Sequence, residues 1–210
     1  HGDVVTSLSN LGTYLVSLGQ PNEALPLLRQ ALEMNQRLHK GDHPEVAMDL
    51  GNLASCLQLT GQPDKALPLM KDAIEMSQRV SGPQGQTTRV FRFRYARMLD
   101  RAGRLDEAET QWKLLPALRV QIKRVLPDSQ AAQLQLKEAD TLVRYAGRPV
   151  YHSSSLIVRR SAEPPDGPPV ELIVDRGGQT LKFMLRPGTL GVELVTTLAS
   201  PPPATKPAAS

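Results

Sequence analysis

Apolar residues recur at steps of three and four through the first hundred positions, and the pattern is interrupted at regular places. Val5, Leu8, Leu11, Leu15 and Leu18 form one stripe, as expected of a helix that buries a single face. Gly19 follows, suited to the left-handed backbone that often ends a helix. Pro21 or Asn22 then opens a partner helix, whose inner face comprises Ala24, Leu28, Ala31, Leu32 and Leu38. The same order returns with Val46, Leu50, Leu53 and Leu57, then Gly61, Pro63, Ala66, Met70, Ala73 and Ile74. The offset is constant: Leu11 maps to Leu53, Gly19 to Gly61 and Ala24 to Ala66, 42 positions on, and His1 maps to His43. One further step carries Gly61 and Ala66 onto Gly103 and Ala108. Self-similarity at this period predicts stacked helix pairs, because one pair cannot bury its own apolar face.

Details of the pattern sharpen that expectation. Gly12, Ala24 and Ala31 mark points where helices cross closely. Pro26 and Pro68 fall in or just after a first turn, where proline is tolerated. The third copy is degenerate: Tyr95, Ala96, Trp112 and the Gly103–Ala108 stretch keep the frame. Pro116, however, stands where the earlier copies have Leu32 and Ile74, predicting a kink or break. Asp128-Ser129 can cap one more helix, with Ala132, Leu134, Leu136, Ala139, Leu142 and Tyr145 as its apolar positions and Gly147-Arg148-Pro149 as its stop. Such a helix would cover the open end of the stack.

After Pro149 the character changes. Val170–Val174 and Leu181–Leu185 flank Asp175-Arg176-Gly177-Gly178-Gln179, a hairpin signal. Leu190–Leu194 could form a third strand and Leu156–Val158 a fourth. The expected organisation is a mainly α chain: an α-solenoid of about three helix-turn-helix repeats plus a capping helix over 1–146, then a linker over 147–168. A small β-hairpin appendage follows over 169–195, with a disordered Pro/Ala tail over 196–210.

Composition agrees with thin helical layers, since 40% of the 210 residues are hydrophobic and only 4% aromatic. The single Cys56 excludes an internal disulfide and a cysteine-based zinc site. No run reaches the roughly 20 apolar residues that span a bilayer, and no secretory signal opens the chain. The first residues fall inside a repeat without an initiator Met, so the N-terminus reads as truncated; the expected location is cytoplasmic. The formal net charge of +4 is uneven. Residues 85–127 hold 10 Lys/Arg against 4 Asp/Glu, whereas residues 1–84 hold 6 against 9.

Motifs for catalysis are missing: no phosphate-binding loop, no His-Glu-x-x-His, no Gly-x-Ser-x-Gly. No catalytic residue, cofactor or metal is therefore expected. His39 and His43 are four apart, but Gly41 and Pro44 interrupt any helix that would align them. The Ser153–Ser155 run after His152 reads as a polar loop.

The repeated Gly-Gln-Pro-x-x-Ala-Leu-Pro-Leu stretches, Ser9-Asn10-Leu11-Gly12, Gly51-Asn52-Leu53-Ala54 and Gly41-Asp42-His43-Pro44-Glu45-Val46-Ala47 closely resemble tetratricopeptide repeats of the kinesin-light-chain type, over about residues 1–126. That resemblance implies a right-handed superhelix whose first helices line a concave peptide groove. It also implies that Asn10 and Asn52 hold the backbone of an extended peptide, with Arg94 as the in-frame residue of the third repeat. Thr13 belongs to the same surface. Val90 stands where the carboxylate clamp of chaperone-binding relatives would have a lysine, and Ser9 and Thr13 replace its first-repeat residues. A complete clamp is accordingly not expected. Residues 167–194 look like the closing strands of a bacterial PDZ-like domain, read here as a remnant without a binding site.

The residues themselves supply the electrostatic half of the reading. Arg94, Arg97, Arg101 and Arg104 step by three and four along a helix, and guanidinium groups suit carboxylates and phosphates. The expected function is a non-enzymatic scaffold that binds a protein or peptide partner, acidic in character, through Asn10, Thr13, Asn52, Arg94, Arg97 and Arg101. The alternatives are self-association through open repeat ends and weak nucleic-acid binding by the basic third repeat. Nucleic acid is the weaker of the two because the stripe is short and stacking aromatics are few.

Overall fold

The computed structural model describes residues 2–161 and 163–199. His1, the counterpart of His43, and the tail from residue 200 onward, for which disorder was expected, lie outside the described residues. The chain divides into two compact units, 1–115 and 116–210.

The first unit consists of three helix pairs: α1 (Gly2–Ser17) with α2 (Pro21–Leu38), α3 (Pro44–Leu59) with α4 (Pro63–Ser81), and α5 (Gln86–Arg101) with α6 (Leu105–Lys113). Each pair is joined by the same device. Gly19, Gly61 and Gly103 take φ of 76°, 75° and 73°. The following N–H donates five residues back, Gln20 to Leu15, Gln62 to Leu57 and Arg104 to Leu99, at 2.9, 2.9 and 3.0 Å. This left-handed closure satisfies carbonyls that a helix end leaves open. Pro21, Pro44 and Pro63 each open a helix, where a missing N–H costs nothing. Pro26 and Pro68 sit inside α2 and α4, both of which run on unbroken.

Small residues set the helix spacing. A Cβ added at Gly12 would lie 2.7 Å from Leu28, and one at Gly51 2.4 Å from the Phe91 ring. Buried polar groups join helices across the unit. Asp49 on α3 accepts from Ser9 Oγ on α1 at 2.5 Å and from Asn35 Nδ2 on α2 at 2.6 Å. Trp112 Nε1 on α6 donates to Asp100 on α5 at 2.9 Å.

Pro116 does not kink a continuing helix. The helix α6 has already ended at Lys113, and the chain enters strand β1 (Leu118–Val125). The expected capping helix over 129–145 is likewise replaced. A single turn, α7 (Gln130–Gln133), gives way to β2 (Thr141–Tyr145), because Gln135 and Ala139 take φ of 56° and 67°, incompatible with a helix. The rest of the second unit is β3 (Arg148–Pro149), α8 (Ser153–Ser161), β4 (Val170–Arg176), β5 (Gln179–Leu185) and β6 (Val192–Leu198). The stretch read as a linker thus holds β3 and α8, and Leu156–Val158 is helical rather than a strand. The presumed tail contributes residues 196–198 to β6.

The strands form one six-stranded sheet of order β5-β4-β2-β1-β6, with β3 on β2, and every recorded pairing is antiparallel. The hairpin β4–β5 turns at Gly177-Gly178, in register from Val170↔Leu185 to Arg176↔Gln179. Val120, Ile122, Leu142, Tyr145, Leu172 and Leu185 form the core, with Leu156 of α8 packed among them. Asp140, 1% exposed at its side chain, accepts two bonds of 2.7 Å from Arg176 and one of 2.9 Å from the Lys137 N–H. Burial alone would raise its pKa; those partners prevail, and it lies below the usual carboxylate value. Residues 167–194 therefore belong to a larger β unit that begins at Leu118, not to an isolated hairpin.

Candidate functional site

The first helices of the three pairs, α1, α3 and α5, wall a cleft of about 420 Å³. Helical periodicity decides what faces it. On α3, Asn52, Ser55 and Gln58 follow one another at three-residue steps, and on α5 so do Arg94, Arg97 and (at four) Arg101. Thr13 and Ser17 come from α1, while Val16, Leu28, Leu59 and Met98 form apolar wall.

Five of the six residues singled out in the sequence thus line one cavity: Thr13, Asn52, Arg94, Arg97 and Arg101. Asn10 does not line it. It is exposed on α1, one helical turn before Thr13, and its carbonyl accepts the Thr13 hydroxyl at 2.9 Å. Thr13 also donates to the Ser9 carbonyl at 3.0 Å, which leaves its hydroxyl occupied by its own helix. Arg104 departs from the expected stripe. It precedes α6 and forms a two-pronged pair with Glu107 at 2.6 and 2.7 Å. Sequence reasoning missed Ser55 and Gln58, although their three-residue spacing from Asn52 was the available signal.

The electrostatics of the cleft are one-sided. No Asp or Glu is among its lining residues. Arg94 and Arg97 are half-buried, and burial depresses the pKa of both; the neighbouring charge of Arg101 depresses Arg97 further. Arg97 stacks over the Phe93 ring at 5.9 Å, and its buried Nε–H has no hydrogen-bond partner among the described residues. Guanidinium groups gathered in this way, with an amide alongside, present donors to an incoming acceptor and nothing that repels an anion.

A second concavity, about 620 Å³, lies in the β unit between α8 and the edge strand β6. Leu156, Ile157, Leu190, Val192 and Leu194 form its apolar floor. Ser153 ties one end to Thr196, its N–H donating at 3.1 Å. Arg160 closes the other end by donating to the carbonyls of Arg186 and Gly188. One further cluster joins two histidines that the sequence reading kept apart. His39 and His43 stack face to face at 3.5 Å, with their nitrogens and the Glu45 carboxylate within 4.8 Å of one another. Their rings are inclined by only 7°, so their lone pairs lie in two nearly parallel planes instead of converging on one point. His43 Nδ1 also accepts the Glu45 N–H at 3.3 Å. This geometry suits a helix cap better than a metal centre.

A sequence profile of the tetratricopeptide repeat matches residues 3–79 and, in a second overlapping match, 50–111. Together these matches span just over half of the chain. The chain belongs to the tetratricopeptide repeat family. A solved structure agrees on the fold of this part. A Podosopora anserina protein described as a kinesin light chain with nearly identical TPR-like repeats aligns at 21% identity and a TM-score of 0.50. That alignment covers 54% of this chain and 54% of the other. The TPR domain of Arabidopsis FLU aligns at 21% identity and a TM-score of 0.48, over 53% of this chain and 91% of its own. This chain thus spans about half the length of the Podosopora protein. No curated protein matches the sequence. Among the described residues, no helix of this tetratricopeptide repeat protein is long and apolar enough to cross a membrane.

Proposed function

We propose that this chain is a non-enzymatic protein-interaction module whose helical repeats, coiled right-handedly, seat an extended acidic peptide in the cleft of α1, α3 and α5. The observation that carries the reading is the three-arginine wall of Arg94, Arg97 and Arg101 with no acid among the lining residues. Half-buried guanidiniums of like charge repel one another, so a peptide carboxylate that reaches them relieves desolvation and repulsion together. The Asn52 amide supplies a donor and an acceptor for the peptide main chain. Asn10, outside the cleft, is assigned to the peptide's flank rather than its centre. The cytoplasm is the proposed location, in keeping with a lone, buried thiol at Cys56.

The test is fluorescence anisotropy with a labelled, acetylated peptide alternating Glu and Ala. Replacing Arg94 and Arg97 by Ala should weaken binding roughly tenfold or more, about 1.4 kcal/mol, and flatten its dependence on salt. Arg89→Ala, on the same helix but outside the cleft, should change little. Equal affinity in all three proteins, or affinity unchanged across salt, would sink the reading. Displacement by an oligonucleotide at equal charge would favour nucleic-acid binding, and a dimer in light scattering would favour self-assembly.

A second reading rests on the β unit. Strand β6 ends the sheet, and its free edge opens into the apolar cavity beside α8. An extended peptide pairing with that edge would gain main-chain hydrogen bonds while alternate side chains filled the cavity. The exposed Ile157→Lys change should abolish shifts of β6 amide resonances induced by a valine–serine hexapeptide. Shifts that survive the change would remove this reading and leave the first untouched.

A further inference from the structure

Arg92 stands two residues before Arg94 and consequently faces the opposite side of α5. It is only 6% exposed, and its Nε–H has no hydrogen-bond partner among the described residues. Burial depresses its pKa with no charged neighbour acting in the other direction. The side chain borders a separate cleft of about 430 Å³ built from α4, α5 and α6. Five charged side chains line this cleft: Lys71, Arg92 and Arg104 against Glu75 and Glu107. Glu107 is held by both prongs of Arg104, and Glu75 is 3.9 Å from Lys71. The positive charge left over resides on Arg92.

A guanidinium enclosed to this degree is costly, because burial removes most of its water and no acid pairs with it among the described residues. The excess is a single charge, which matches a carboxylate better than a doubly charged phosphate. Gln78 and Gln111 line the same cleft and can donate amide hydrogens to carboxylate oxygens. The volume exceeds that of a carboxylate alone and accommodates a group the size of an acidic side chain.

We infer that the cleft between α4, α5 and α6 is a receptor for one carboxylate, which pairs with Arg92 on the face of α5 opposite the three-arginine cleft. The carboxylate can come from a small free acid or from an Asp or Glu of a polypeptide. The inference does not depend on the peptide reading of the first cleft.

The experiment follows the arginine Nε–Hε resonances of the full ¹⁵N-labelled chain at constant ionic strength. The Arg92 signal is assigned through neighbouring protons and checked by its loss in Arg92→Lys. One arm adds sodium acetate, another acetyl-Gly-Glu-Gly-amide, and a third sodium chloride alone. The expected result is a saturable Arg92 shift with either carboxylate, persisting in the Arg94→Ala, Arg97→Ala double variant. Half-saturation at least tenfold lower for the peptide would identify a polypeptide source, and equal values a free acid. A shift no larger than that in chloride, or one lost in the double variant, would overturn the inference.

Discussion

Asp49 in the helical unit and Asp140 in the β unit are both buried carboxylates, and their surroundings treat them in opposite ways. Asp49 receives bonds from two neutral groups, Ser9 and Asn35. Burial outweighs them, and its pKa rises. Asp140 faces the Arg176 guanidinium, which overrides the effect of burial and leaves its pKa lowered. Hydrogen bonds from neutral groups can orient a buried acid and join three helices through it. At Asp140 burial pulls the pKa up, and the Arg176 guanidinium together with the Lys137 N–H turns the balance downward. The two units should therefore respond to acid in opposite directions.

The largest effect expected is in the β unit. Asp140→Ala leaves Arg176 without its acid, but that side chain is 29% exposed and partly hydrated. The cost should be about 2–3 kcal/mol, below that of a fully enclosed pair, seen as lost amide-exchange protection in β2 and β4. A depressed folded-state pKa contributes stability that is complete above the unfolded carboxylate value and vanishes as pH falls through the folded one. The wild-type β unit should accordingly weaken below about pH 4, and the variant should not weaken further through this group. An unchanged acid limb in the variant would show that the pair does not govern it.

Gly51→Ala should come next, in the helical unit. Its added Cβ would meet the ring of Phe91, a side chain only 1% exposed. Overpacking of about 1–3 kcal/mol outweighs the helix propensity gained. Trp112 is the chain's only tryptophan, so its fluorescence reports this unit's denaturation midpoint. A midpoint equal to wild type would mean that α3 and α5 can separate at no cost. Asp49→Asn should have the smallest effect. A raised folded-state pKa means that stability declines as pH climbs from the unfolded value through the folded one. The asparagine variant should lack that decline, with a difference within about 1 kcal/mol. A parallel pH profile for the two proteins would contradict the assignment.

How legible these features were depended on periodicity. The 42-residue echo disclosed α1 to α5 and their glycine turns because each helix exposes one polar face and buries one apolar stripe. Residues 129–145 were misread for a physical reason. A register shift between Leu142 and Arg144 puts both Leu142 and Tyr145 inward, so the strand loses its alternation and imitates a helical spacing. Leu156-Ile157-Val158 looked like a strand from its branched side chains, yet tertiary packing of Leu156 makes it helical. In the cleft, steps of three and four along one face of α5 mark Arg94, Arg97 and Arg101. Arg92 lies off that face because a helix turns neighbouring positions away from one another.

The sheet places its first strand beside its last, with Leu118 opposite Leu198. A ribosome releases these partners some eighty residues apart, so β1 must wait, one edge bare, until β6 emerges. The repeats have no such delay, because each helix finds its mate about twenty residues later. During synthesis the helical half can be finished while the sheet is still open, which makes β1 the segment a chaperone would have to guard.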